Sequence, residues 1–294
     1  MSHTYRTVGV PVQGGDLRVG VWEPTEDARS TALLIHGVTS SHLAWPFVVG
    51  QLPGVRLIAP DLRGRGASST LTGPAGMAAH ADDLAAVLDA FELSATTVVG
   101  HSMGAFVAVV LAHRHPDRVT DLVLVDGGLP LDVPTGIEPA QLAQFILGPV
   151  AERLAKRWPS VQAYSDDFWR GHPAFADDWS DELEAYIAYD LVADGELLRS
   201  ATSYPTMAED TLDMNTGTAL PEALAALQKP TLFITVPRGL QNEEPGLYAP
   251  AHITRLLRDF PQVEHEHLDD LNHYTVVMSQ RGAQALAPLV RSRF

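Results

Sequence analysis

The 294-residue chain contains no cysteine, which excludes disulfides and thiolate metal sites and leaves the redox compartment undetermined by that route. It is short of positive charge: 20 lysines and arginines stand against 36 aspartates and glutamates, a formal net charge of −16. Nucleic acid and anionic membrane surfaces would be repelled by that balance, so neither is expected as a partner, and anionic substrates are slightly disfavoured. No apolar run approaches the roughly 18 residues of a membrane span. The opening MSHTYRTVGVPV lacks a basic segment followed by an apolar stretch, so no signal peptide is expected. A cytoplasmic location is the default expectation from these absences. No internal repeat or low-complexity segment is visible. The composition is otherwise that of a globular protein, 46% hydrophobic and 19% charged, long enough for one large domain or a domain with a substantial insertion.

Short β-branched runs alternate with helical patterns. TYRTVGVPV and LRVGVWEP flank a Gly-Gly turn and read as an opening hairpin; ALLIHG and VRLIAPD read as buried strands with a helix, SHLAWPFVVGQL, between them. MAAHADDLAAVLDAFEL is amphipathic, with Ala81, Leu84, Ala85, Leu88 and Phe91 on one face and its acids on the other. TTVVG, a helix ended by Pro116, and DLVLVDGG continue the alternation. Strands alternating with helices predict a mostly parallel central sheet covered on both faces. From Leu129 to Lys229 the alternation stops: the segment is helical in pattern, without a convincing strand, and dense in aromatics. TLFITV, AHITRLLRDF, VEHEHLD and SQRGAQALAPLVRSRF then restore strand, helix, strand and helix. The chain therefore divides into an α/β core domain, 1–128 and 230–294, interrupted by a helical lobe, 129–229.

Within VVGHSMGAF, Ser102 is the centre of a Gly-x-Ser-x-Gly placed between a strand and an apolar helix. A strand that turns sharply into a helix strains the residue at the turn, and the neighbouring chain packs so closely that small residues are needed two positions to either side. Gly100 and Gly104 meet that need, Ser102 would project its oxygen above the sheet, and the Met103 N–H at the helix start would face an oxyanion. An ordinary helix cap between two glycines is the bland alternative.

The chain resembles an α/β-hydrolase-fold serine hydrolase with a helical cap, of the esterase or lactonase type, over nearly its whole length apart from the inserted lobe. LLIHGVTSSHLAW resembles the His-Gly segment after the third strand, DLRGRGASS the loop after the fourth, and GHSMG follows at the expected distance. The resemblance implies that the fold is that of the α/β hydrolases with the cap between strands 6 and 7. It further implies that Val38 donates the second oxyanion-hole N–H and that His273, in LDDLNHYTVV, is the general base Ser102 requires. His101 should point away from the pocket, and His36 should help shape the oxyanion loop. His265, His267 and Asp269 are weighed as a metal site against a solvated strand face, and no metal or other cofactor is expected.

The sequence departs from the family at the third triad member. The loop after the seventh strand, PRGLQNEEPGLY, has Gly239 or Leu240 where an aspartate is usual. Asp126, at the end of the sixth strand, matches the position that a minority of the family uses, and Glu243 or Glu244 remain alternatives. Such a triad carries out acyl transfer to water, and the expected substrate is a small, largely apolar carboxylic ester or lactone. Trp158, Trp169 and Tyr186 are candidate substrate contacts, although the same aromatics are also the simplest core for the lobe. Carbon–carbon bond or thioester hydrolysis, and a hydrolase-fold ligand-binding protein with little turnover, are the alternatives; a homodimer is an assembly the sequence allows.

Overall fold

The computed structural model describes residues 2–132 and 150–294. Eight strands form one sheet: β1 (His3–Val12), β2 (Gly15–Pro24), β3 (Ser30–Ile35), β4 (Val55–Pro60), β5 (Thr96–His101), β6 (Val119–Val125), β9 (Thr231–Thr235) and β10 (Val263–His267), in the order β1-β2-β4-β3-β5-β6-β9-β10. The β1–β2 and β2–β4 pairs are antiparallel and every pair from β4 to β10 is parallel. Because strand side chains alternate in direction, Leu33, Ile35, Val98, Leu122 and Leu124 feed one buried layer while Ala32, Leu34, Val99, Val123 and Val125 feed the other. Both faces are therefore covered, which is why these strands read as continuous apolar runs.

Helices α2 (Met77–Ala90) and α3 (Met103–Arg114) pack together on one face. The expected helix after β3 is broken into a single 3₁₀ turn, His42–Ala44, and the short α1 (Pro46–Gly50). Pro46 has no N–H to continue a helix through it and instead starts a new one. On α2 the apolar face is as expected at Ala81, Leu84, Ala85 and Leu88, but Asp83 does not lie on the opposite, solvated side. It is buried and receives two hydrogen bonds of 2.8 Å from Arg63, whose other donors reach the carbonyls of Thr72 and Gln13.

Between β6 and β9 the chain leaves the sheet. The excursion contains a two-stranded hairpin, β7 (Leu191–Asp194) and β8 (Leu197–Ser200), where the sequence analysis found no strand. Gly195–Glu196 forms its two-residue turn, with Gly195 at φ +65°, but four-residue strands are too short to show alternation. Helices α4 (Asp181–Tyr189), α5 (Tyr204–Thr216) and α6 (Ala219–Ala225) belong to the same excursion, and Leu220, Ala223 and Leu224 of α6 pack into the layer that holds α3. Among the described residues no helix is long and apolar enough to cross a membrane.

His36, just beyond β3, is fully buried: its Nδ1–H donates to the Gly37 carbonyl (2.8 Å) and its Nε2 accepts the Leu62 N–H (3.0 Å). Burial pushes this imidazole down to about 4, below its ordinary 6.5. The unfolded chain thus binds a proton that the folded one refuses between those values, so stability falls as pH drops from about 6.5 to about 4. Substituting His36→Gln should flatten the pH dependence of unfolding free energy in that window by about one proton; an unchanged slope would contradict the assignment. Asp83→Ala, which strands Arg63 without its carboxylate, should cost about 3–5 kcal/mol in denaturant unfolding. A loss below about 1 kcal/mol would mean the pair is not buried as described.

Candidate active site

The parallel strands end on one edge of the sheet, and the loops that leave it converge on a cavity of about 160 Å³. Ser102 follows β5, Asp126 follows β6, His273 follows β10 and Val38 follows β3, and all four line this cavity. Ser102 sits at φ 55°, ψ −125°, a left-handed conformation that costs a side-chain-bearing residue about 1–3 kcal/mol. It is held there by crowding. A Cβ on Gly104 would lie 2.1 Å from the Ile35 carbonyl oxygen, and one on Gly127 would lie 2.3 Å from that of Ser102. The glycine after Ser102 is thus required by close backbone approach, as expected, and Gly127 extends the same constraint to the next strand.

Asp126 is fully buried, also at positive φ (45°), and its Oδ2 accepts a hydrogen bond of 2.7 Å from the Nδ1–H of His273. Glu243 and Glu244 are exposed and turned to other partners. A Glu243 oxygen accepts the Gln241 N–H at 2.6 Å, and Glu244 lies 3.3 Å from Arg238 Nε. The turn that carries His273 is fixed from both sides. Its N–H donates to the Arg238 carbonyl (3.0 Å), and the Asn272 side chain accepts the N–H groups of Tyr274 and Thr275.

His101 does not point away from the pocket. Its ring lies 4.7 Å from that of His273, it lines the cavity, and its Nε2–H donates to the His273 carbonyl at 2.7 Å. Burial, reinforced by the neighbouring His273, pushes its pKa well below the ordinary value, which keeps it a neutral donor.

Val38 and Met103 border the cavity beside Ser102, Met103 at the first position of α3 where the helix leaves its N–H groups unpaired. Both are touched by Arg65, a guanidinium with no solvent exposure: Nε donates to the Val38 carbonyl (2.7 Å) and Nη2 lies 3.9 Å from Met103 Sδ. Arg65 also pairs with Asp210 of α5, whose carboxylate accepts from His80 Nε2 (2.9 Å) and the Gly76 N–H (2.6 Å). Burial alone would raise the Asp210 carboxyl; His80, Arg65 and these hydrogen bonds outweigh it and hold it well below the usual range. Nothing in residue spacing signals that a helix more than a hundred residues away supplies this partner.

Trp169 and Tyr186 line the cavity, and the Tyr186 hydroxyl donates to Ser40 Oγ at 3.2 Å. Trp158 does not. It packs 4.5 Å from Tyr164, donates to Asp167 at 3.1 Å and borders a separate outer depression, because its bridge to Leu198 turns it toward the hairpin. His265 and His267 share the Thr235 hydroxyl at 2.9 Å each, and among the described residues no group of three or more metal-ligating side chains is gathered.

Comparison with known proteins agrees with this architecture. Residues 33–185 match the α/β hydrolase fold family. The lipase LipV of Mycobacterium tuberculosis is 34% identical over 185 residues, 59% of this chain and 70% of that one. A thioesterase domain from the curacin biosynthetic pathway superposes with a TM-score of 0.75 at 22% identity, covering 98% of this chain and 99% of that domain. An E-2-(acetamidomethylene)succinate hydrolase superposes equally well, TM-score 0.75 at 21% identity, over 98% and 99%. Strand order, the strained serine turn and these matches together make the chain a member of the α/β-hydrolase fold family.

Proposed function

We propose that the protein is a serine hydrolase that cleaves a small, largely apolar carboxylic ester or lactone through an acyl-enzyme on Ser102. The observation that carries this reading is the 2.7 Å bond from His273 to buried Asp126 at the wall of the cavity that also holds the strained Ser102. His273 Nε2 takes the Ser102 proton as the oxygen attacks the ester carbonyl. The resulting oxyanion is held by the N–H groups of Val38 and Met103, where the α3 dipole adds to the attraction. The imidazolium then protonates the leaving alcohol, and water, deprotonated by His273, releases the acid. Asp126 fixes the Nδ1–H tautomer and stabilises the imidazolium.

The segment between β6 and β9 serves as the lid. Phe168, Trp169, Tyr186, Thr211 and Met214 from this segment border the cavity, and with Phe106, Leu131 and Leu247 they give it a mainly apolar wall, which favours an acyl chain over a highly charged group. Loss of the acid from the loop after β9 is the feature that favours a ligand-binding protein with little turnover. The Asp126 bond supports the enzyme instead, because it supplies that partner from β6.

Exposure to a small fluorophosphonate should add one adduct to the intact mass, absent from Ser102→Ala. Asp126→Asn should lower kcat on a generic ester by about 10⁴-fold with the fold intact, while Glu243→Gln leaves it near normal. An unlabelled, folded wild-type protein would sink the hydrolase reading; near-normal turnover in Asp126→Asn would sink the assignment of the acid.

A further inference from the structure

Among the described residues Arg153 is the one lysine or arginine on the cavity wall, and its place there is unexplained by the reaction above. Its side chain is 3% exposed. A guanidinium has five N–H donors. Two of its contacts are made by Nη1, to the Tyr164 hydroxyl (2.6 Å) and to Asp190 Oδ2 (2.7 Å). Its flat faces lie near aromatic rings, 5.2 Å from the Phe168 centroid and 5.8 Å from that of Trp169. The remaining edge, Nε and Nη2, makes no hydrogen bond among the described residues, and Nε is wholly buried. Leaving donors of a buried cation unsatisfied is costly, about 1–3 kcal/mol for each group and more when it is charged. Nε has no surface that a ligand could reach, so Nη2 is the donor of Arg153 left for a group in the cavity.

Resting on the hydrolase reading, we propose that Arg153 Nη2 is a subsite for a second carbonyl-type oxygen on the substrate's acyl group, a ketone, amide or second ester. Charge decides in favour of a neutral acceptor. Arg153 is already balanced by Asp190, and Asp126 adds a further carboxylate at the cavity, so a substrate carboxylate would enter a region with no spare positive charge. A neutral oxygen satisfies the open donor without that penalty. The apolar wall contacts the intervening methylenes, and the subsite selects among esters of one length by where the oxygen falls.

The test is binding to Ser102→Ala protein, measured by calorimetry. The probes are phenyl hexanoate, its three analogues with a ketone at the third, fourth or fifth acyl carbon, and the phenyl monoester of hexanedioic acid. At least one ketone should bind about tenfold tighter than phenyl hexanoate, the worth of one hydrogen bond to a charged donor. Arg153→Lys keeps the charge facing Asp190 but lacks the second edge, and should bring that ratio to about one. If it does not fold, Arg153→Met with Asp190→Asn removes the pair together and should do the same. Equal binding of all four uncharged esters, or a ratio that survives these substitutions, overturns the subsite. Tightest binding by the carboxylate overturns the neutral acceptor. Because no turnover is read, these outcomes stand apart from labelling of wild-type Ser102, whose failure would remove the hydrolase reading itself.

Discussion

The molecule depends on the crowded turn at Ser102. A residue with a Cβ is kept at φ 55° because the chain on either side has no room to relax: β3 presses on Gly104 and the start of the loop after β6 presses on Ser102 through Gly127. The strain of about 1–3 kcal/mol is small against the burial of β3, β5, β6 and α3, whose apolar residues are almost all withdrawn from solvent. Local cost and global packing thus act on different scales, and the packing wins. The same crowding aligns the ends of three strands within reach of one another, so the serine, the loop bearing Val38 and the carboxylate of Asp126 face one cavity.

A second level of order comes from buried charge. Asp61 accepts hydrogen bonds from the His42 backbone and ring, from the Ala67 N–H and from the Tyr189 hydroxyl of α4. Burial by itself would raise this carboxyl; the bonds and charge of His42 outweigh it and hold it low. Asp210 does the corresponding work on α5, joining His80, Gly76 and Arg65. Neither cluster is a cheap source of stability, since desolvating ions costs several kcal/mol each. Their effect is geometric: two helices of the excursion are tied at fixed points to the loops that follow β3 and β4.

The α/β class, the strand order within the motifs and the serine turn were legible because they follow from patterns a few residues long: apolar runs, helix periodicity, glycines at fixed offsets. The residues that complete the site are set by contacts distant in the chain, and those left little trace. His101 was expected to face away, yet it holds the His273 carbonyl across 172 positions. Asp83 lies where a solvated acid is expected and is buried because Arg63, from the loop after β4, meets it. The hairpin at Gly195 leaves little trace because its strands have only four residues each, too few to show alternation. Trp158 and Trp169 look alike in sequence. The bridge of Trp158 to Leu198 holds it against the hairpin, while the turn at Ser165–Trp169 brings Trp169 to the cavity wall.

The placement of the acid has a consequence for the rest of the pocket. Asp126 at φ 45° turns its carboxylate toward His273 directly from the end of β6, on the strand next to the one that ends just before Ser102. An acid on the loop after β9 would have to fold inward to reach the same imidazole, filling that side of the cavity with chain and charge. The loop after β9 turns Leu240 and Leu247 to the cavity, while Glu243 and Glu244 stay in solvent. The wall is then mainly apolar, with Arg153, Thr39, Ser40 and Thr211 among its polar members.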